Sequence, residues 1–312
     1  MAETILITPK SFKNYKEKAY PLLRSKGYDI IENTLGRTLT EQEIIDYAAQ
    51  NVVGIIVGVD PLPAPVLNQC KNLKAISKYG VGMDNIDLDR AKELGIKVKN
   101  ALGTNTISVA ELAIGLMFSA SRMIPAIHSK VKNGSWDRII GCELTGKKLG
   151  LIGGGQIGKE VAKRAKGLEM EVTIYDPYFT DENFLTKYHI QQCHEITEIF
   201  SQSDYISLHV PVTAETKNII NQNSLKAMKA SAIIINTSRG ELVDEEALYA
   251  ALSKGSIAAA AQDVFSSEPP AADEKLLTLD NFILTSHIGA FTHEAVEKMV
   301  MVSTENLLEM LR

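Results

Sequence analysis

The apolar positions of this chain fall into short runs separated by stretches with helical spacing, and the alternation continues from end to end. Ile5-Leu6-Ile7-Thr8 reads as a strand, residues 15–26 as a helix and residues 28–31 as a second strand. A helical stretch over residues 40–51 leads to the apolar run 52–57, and another over 64–70 leads to a strand at 73–77. Strands that alternate with helices imply a parallel sheet, so this part predicts a small flavodoxin-like α/β domain.

Residues 107–127 form a long apolar stretch (Val109, Leu112, Ala113, Leu116, Met117) with the spacing of a buried helix, expected to link two domains. Beyond it come strands at 149–152 and 171–175, with a helical pattern between them (Val161, Ala162, Ala165). Four further apolar runs, at 204–210, 232–236, 257–264 and 282–285, complete a predicted six-stranded doubly wound sheet. Residues 292–312 read as an amphipathic helix expected to pack against the first domain and make it discontinuous. The expected division is therefore 1–100 plus 291–312 for one domain and 101–290 for a Rossmann domain inserted into it.

Composition narrows the field. At 312 residues, 45% of them hydrophobic, the chain has material for two cores. Net charge is −5 with no basic block, which argues against a nucleic-acid surface or a polybasic membrane patch. Cys70, Cys142 and Cys193 are far apart and form no C-x-x-C pair, as in reduced thiols of a cytoplasmic protein. No charged-then-apolar leader precedes Ile5, and apolar stretches such as 230–235 are too short to span a bilayer. A cytoplasmic protein without metal, membrane or nucleic-acid partners is the expectation.

The chemistry begins at Gly153-Gly154-Gly155-Gln156-Ile157-Gly158, set between the first strand and the helix of the second domain. In that βαβ frame Gly153 allows a tight turn, Gly155 lets backbone approach a pyrophosphate, and Gly158 lets helix and strand pack closely. The helix N-terminus faces the phosphate charge. Asp176 ends the next strand, where a carboxylate accepts hydrogen bonds from ribose hydroxyls and repels an extra phosphate, so NAD is favoured over NADP. Pro177-Tyr178 supplies no Arg to reverse that preference.

Ligands of a parallel sheet bind outside the strands' carboxyl ends. The segments there are His209-Val210-Pro211, Thr237-Ser238-Arg239-Gly240, Asp263-Val264-Phe265 and Ser286-His287-Ile288-Gly289. Reduction of a 2-oxo acid needs a proton donor and an anchor for a carboxylate. An imidazole (His287) is the side chain suited to proton transfer, a carboxylate (Glu268, pinned by Pro269 and Pro270) would orient it, and a guanidinium (Arg239) matches the substrate anion. Each has a plainer reading: a lone histidine after a strand is usually structural, Arg239 can cap a turn, and Glu268 can be a loop acid. Spacing alone does not bring the three together. The acid-rich Asp84-Asn85-Ile86-Asp87-Leu88-Asp89 lacks the glycine and distal Glu of a calcium loop and fits a helix cap near Leu88.

Taken together, several of these segments resemble the D-isomer-specific 2-hydroxyacid dehydrogenases, particularly their phosphoglycerate dehydrogenase branch. The resemblance rests on Tyr79-Gly80-Val81-Gly82-Met83-Asp84-Asn85-Ile86-Asp87, Ser108-Val109-Ala110-Glu111-Leu112 and the glycine run. His209-Val210-Pro211, Asn236-Thr237-Ser238-Arg239-Gly240, Asp263-Val264-Phe265-Ser266-Ser267-Glu268-Pro269 and Ser286-His287-Ile288-Gly289 complete it. It covers nearly the whole chain, in order.

The resemblance implies roles. Arg239 becomes the substrate anchor, His287 the acid/base and Glu268 its partner. NAD would lie along Gly153, Gly155, Gln156, Ile157, Gly158, Asp176, Pro177, His209, Val210, Pro211 and Thr216. Its nicotinamide half would run past Thr237, Ser238, Arg239, Asp263, His287, Gly289 and Ala290. The substrate would meet Lys78, Tyr79, Gly80, Asn105 and Arg239, with its carboxylate on the amides of Val81 and Gly82. Lys78 stands where phosphoglycerate enzymes often carry an Arg, and Arg138 is a second candidate phosphate ligand. The resemblance also implies a homodimer through 107–127 and the arm around Trp136, and a chain without the regulatory domain through which serine inhibits longer relatives. The leading substrate pair is 3-phosphoglycerate/3-phosphohydroxypyruvate; alternatives are reduction of hydroxypyruvate, glyoxylate or another short 2-oxo acid, and, more distantly, an NAD-sensing co-repressor-like scaffold.

Overall fold

A computed structural model describes residues 3–312, which divide into two compact units, 3–105 with Ala290–Arg312 and Thr106–Gly289. The first unit holds five parallel strands: β1 (Thr4–Ile7), β2 (Asp29–Glu32), β3 (Val52–Val57), β4 (Ala75–Lys78) and β5 (Lys97–Asn100). Their order, β2-β1-β3-β4-β5, is that of flavodoxin-like sheets. β1 and β3 are buried along their whole length and so read as continuous apolar runs. β5 was not foreseen. Its sequence, Lys-Val-Lys-Asn, is that of a short polar edge strand.

Residues 101–105 stay with this unit, where the Ala101 amide bonds the Gly80 carbonyl at 2.8 Å. The last helix, His293–Met310, packs in the same unit against helix Lys16–Ser25 and β3–β5. It places Val296, Met299, Val300 and Leu307 in a core with Ile5, Ile7, Phe12 and Leu23.

The second unit holds β6 (Lys148–Ile152), β7 (Glu171–Tyr175), β8 (Gln191–Cys193), β9 (Tyr205–Leu208), β10 (Ile233–Asn236), β11 (Ala259–Gln262) and β12 (Phe282–Leu284). The sheet has seven strands, not the six expected, in the order β12-β11-β10-β9-β6-β7-β8. The addition is β8, a three-residue edge strand of Gln-Gln-Cys with no apolar run to announce it. All pairings are parallel, and the chain reverses direction across the sheet between β6 and β9. In a doubly wound sheet that reversal is where a crevice opens at the strand ends.

The long apolar stretch is two helices, not one. Thr106–Ser121 ends where Met123 takes a left-handed conformation (φ 53°), and Ile124–Lys132 sets off at 61° with a proline in its first turn. The first helix buries Val109, Ala113, Leu116 and Met117, and packs on helix Gln156–Gly167, β10 and β11. The second buries none of its residues. Among the described residues no single helix is long and apolar enough to cross a membrane.

Candidate active site

At the end of β6 the backbone turns at Gly153 (φ 105°) and enters helix Gln156–Gly167. Packing fixes two of the glycines: a Cβ on Gly158 would lie 2.1 Å from the Gly153 carbonyl oxygen, and one on Gly153 would lie 2.3 Å from that of His209. At Gly155 nothing lies within 4 Å of the Cβ position, and no side chain caps the helix. By contrast, side chains of Thr40, Asp87, Asp181, Asn221, Asp244 and Thr292 cap the helices that follow them. An open glycine before uncapped helix amides is a place for an anion to complete the first turn.

Asp176 follows β7. Its Oδ2 accepts the Gly154 amide at 2.8 Å and its Oδ1 the Tyr178 amide at 2.9 Å. The carboxylate is thereby fixed beside the glycine turn, with lone pairs left for ribose hydroxyls. Asp87, for its part, caps helix Leu88–Glu93 through the Arg90 amide at 2.8 Å.

His209, after β9, pairs Nε2 with the Ser207 hydroxyl at 2.9 Å, while its buried Nδ1 has no partner. Burial lowers its pKa to about 4, so the ring is neutral. The buried Thr237 hydroxyl is likewise unpartnered. Thr216 is spent locally, donating to the Pro211 carbonyl at 2.6 Å and accepting the Thr213 amide at 2.7 Å, which shapes the loop that Val210 and Pro211 begin. The open glycine, the uncapped helix, Asp176 and two orphaned buried polar atoms fit a dinucleotide.

Beyond β11 and β12 lies a paired acid and base. Glu268 Oε2 stands 2.7 Å from His287 Nδ1, and Glu268 Oε1 accepts the Phe265 amide at 3.0 Å. Burial opposes ionisation of Glu268. The bonds from His287 and Phe265, with the charges of His287 and Arg239, outweigh it and hold the carboxyl below its ordinary pKa. Arg239 is thus close enough to act on Glu268 electrostatically, and its Nη1 also donates to the Ser238 carbonyl at 2.7 Å. The imidazole is about 44% exposed, and the Glu268 bond on Nδ1 leaves Nε2 to face a reactant. A carboxylate that fixes one nitrogen leaves the other as proton donor or acceptor.

The supports of this group were less legible. Asn236, at the end of β10, donates to the Arg239 carbonyl at 2.8 Å and accepts the Ser238 amide at 3.0 Å, folding the turn that presents the guanidinium. Ser238 itself donates to the Leu208 carbonyl at 2.7 Å. Asp263 is 1% exposed and clamps the segment that bears the imidazole. Its Oδ1 accepts the Ile288 amide at 2.9 Å and the Thr285 hydroxyl, and its Oδ2 the Gly289 amide at 2.7 Å. His287 sits in that turn with φ 54°, its own amide bonding the Asp263 carbonyl at 2.9 Å. Polar residues at strand ends were the available signal, but their partners were not.

In the first unit, Lys78 is 7% exposed, and its ammonium donates to the Asn85 amide oxygen at 2.6 Å and to the Gly58 carbonyl. Tyr79 is buried, bonds Ser11 at 3.0 Å, and has its pKa pushed up to about 12 by burial. Gly80 takes φ 129°, which explains the glycine. Among the described residues the amides of Val81 and Gly82 have no acceptor within the chain, and the Asn105 side-chain oxygen is buried without a partner. Arg138 lies exposed in the irregular segment of the second unit that also carries Trp136 and Ile140. Pro177 is exposed and Ala290 half-buried.

Residues 114–289 match the family described as D-isomer specific 2-hydroxyacid dehydrogenase, NAD binding domain. The chain belongs to this family. It is 44% identical over 298 residues to D-3-phosphoglycerate dehydrogenase of Methanocaldococcus jannaschii, a match covering 95% of this chain and 56% of that protein. Hydroxypyruvate reductase of Thermotoga maritima is 42% identical over 277 residues, 88% of this chain and 89% of the reductase. The TT0316 protein of Thermus thermophilus superposes with a TM-score of 0.87 at 32% identity, covering 99% of this chain and 96% of the other. Against the phosphoglycerate dehydrogenase relatives the chain spans a little over half their length. For this D-2-hydroxyacid dehydrogenase family member, the matched NAD-binding segment contains the glycine turn, Asp176, Arg239, Glu268 and His287.

Proposed function

We propose that this chain is an NAD-dependent oxidoreductase that interconverts a D-2-hydroxy acid and its 2-oxo acid, with 3-phosphoglycerate/3-phosphohydroxypyruvate, a step of serine biosynthesis, as the leading pair. The observation that carries the reading is the 2.7 Å bond between Glu268 and His287 with the Arg239 charge beside it. NAD would supply or accept the hydride. The remaining work falls to side chains. Arg239 takes the substrate carboxylate and draws electron density toward the carbonyl oxygen. Nε2 of His287 gives that oxygen a proton, or removes it in the reverse direction, and Glu268 stabilises the imidazolium in one orientation. Glycines 153, 155 and 158, with Gln156 and Ile157, hold the pyrophosphate, and Asp176 holds the adenosine ribose.

One observation favours the second reading, reduction of hydroxypyruvate, glyoxylate or a similar short acid. The ammonium of Lys78, the candidate phosphate ligand, is buried and bonded to Gly58 and Asn85. A cytoplasmic homodimer is proposed as well, supported by apolar side chains left exposed on the helix Ile124–Lys132 and the irregular segment after it, among them Ile124, Trp136 and Ile140. The test is NADH oxidation with 3-phosphohydroxypyruvate, hydroxypyruvate and glyoxylate in parallel. A preference for the phosphorylated acid, lost from KM when Lys78 or Arg138 becomes Ala, supports the first reading. Equal turnover supports the second, and silence on all three points to the scaffold.

A further inference from the structure

One carboxylate near the acid–base pair has no part in the chemistry above. Glu245, the first residue of helix Glu245–Ser253, accepts the Ser266 amide on Oε1 at 2.8 Å and the Ser266 hydroxyl on Oε2 at 2.7 Å. Ser266 follows Phe265, whose amide holds Glu268 Oε1 at 3.0 Å. The same two residues press on the Arg239 segment: a Cβ on Gly240 would lie 2.0 Å from the Phe265 carbonyl carbon and 2.2 Å from the Ser266 nitrogen. The helix that carries Glu245 is itself anchored, with Asp244 capping the Ala247 amide at 3.0 Å and Leu248, Ala251 and Leu252 in the core. Burial raises the pKa of Glu245; the two Ser266 bonds oppose the rise, and the nearby charges of Glu274 and Glu241 add to it.

We propose that Glu245 is a positioning residue for the acid–base pair: its two bonds to Ser266 fix the 265–268 loop so that Glu268 meets His287 in a single orientation, in register with Arg239. The bonds are well suited to this. A carboxylate accepting two donors from one residue defines both position and direction, and a charge-assisted bond is stronger than a neutral one. The kinetic half of the test rests on the dehydrogenase reading; the spectroscopic half does not.

The experiment uses the full chain with Glu245→Ala, Glu245→Gln and Ser266→Ala. The spectroscopic readout is the downfield Nδ1–H resonance of His287 in ¹⁵N-histidine-labelled protein without ligands. The kinetic readout is kcat/KM at saturating NADH, with hydroxypyruvate or 3-phosphohydroxypyruvate, whichever the wild type reduces faster. E245A is expected to broaden or lose the resonance and to lower kcat/KM about tenfold through kcat, with NADH Kd within about twofold of wild type. E245Q keeps one acceptor and recovers most of the loss, and S266A, which keeps its amide, falls between. Should E245A fail to fold, E245Q and S266A carry the comparison. Wild-type resonance and kcat/KM in the folded variants overturn the proposal. Loss of the resonance alongside a wild type inactive on every 2-oxo acid supports the positioning and sinks the dehydrogenase reading instead.

Discussion

Glu268 Oε2 and His287 Nδ1 are 2.7 Å apart, although 19 residues separate them and each belongs to a different loop. The distance is held from both sides. The Phe265 amide fixes the other oxygen of the acid, and the Asp263 side chain fixes the turn that carries the base. Orientation of this kind lets a single imidazole both give and take a proton without searching for its rotamer.

Replacing Glu268 with Gln keeps the shape and removes the charge. The expected result is a fall in kcat/KM of roughly tenfold to a hundredfold, with NADH affinity unchanged in fluorescence titration. The pH dependence has a defined sign. Because the folded state holds the Glu268 carboxyl below its ordinary value, its contribution to stability is present above that value and is lost as pH falls through the depressed one. Melts of wild type and E268Q should therefore converge in the acid range, below about pH 4.3.

Arg239→Lys keeps the charge and loses the planar fork. Turnover of any 2-oxo acid should fall on the order of a hundredfold in kcat/KM, since one point charge cannot both clamp a carboxylate and polarise the adjacent carbonyl. Wild-type kinetics in R239K would remove Arg239 from the anion site.

Asp176→Ala should reduce discrimination between NADH and NADPH. The ratio of their kcat/KM values is expected to fall about tenfold or more, mainly through weaker NADH use. The same change strips the acceptor from the Gly154 and Tyr178 amides, so a stability loss of about 1–3 kcal/mol in urea titration should accompany it.

His209 makes stability depend on pH in its own window. Its pKa drops from 6.5 to about 4 on folding because burial disfavours the charged ring. The native state thus binds fewer protons than the unfolded one between those values. Stability is complete above 6.5, declines as pH falls, and is reduced by roughly 3 kcal/mol once pH passes below the folded value. Chemical denaturation from pH 7 to 4 measures the slope, which should be flatter in His209→Asn.

Gly240→Ala should cost both stability and activity. The new methyl collides with the backbone of Phe265 and Ser266, not with a flexible side-chain tip, so the 265–268 loop must move. A loss of about 1–3 kcal/mol is expected from calorimetry. Activity should fall with it in the material that remains folded.

Much of this was legible beforehand, for identifiable reasons. Buried parallel strands such as β3 and β10 are unbroken apolar runs, and the glycine turn announces itself by spacing. Edge strands lack that signal: Lys97–Asn100 and Gln191–Cys193 are set by their neighbours in the sheet. The break between the helices at 121 and 124 depends on one left-handed residue, Met123, inside an otherwise continuous apolar pattern. Arg239, Glu268 and His287 stood out by chemical type, whereas Asn236, Asp263 and Glu245 work through hydrogen bonds to backbone that only folding creates.

The left-handed backbone at His287 has an energetic corollary. A residue with a Cβ gives up about 1 kcal/mol or more in that region, a steric cost that glycine is spared. The turn keeps that conformation through the Asp263 bonds to Ile288 and Gly289 and the Glu268 bond to Nδ1, so the imidazole is aimed by bonds that must outweigh its own backbone strain.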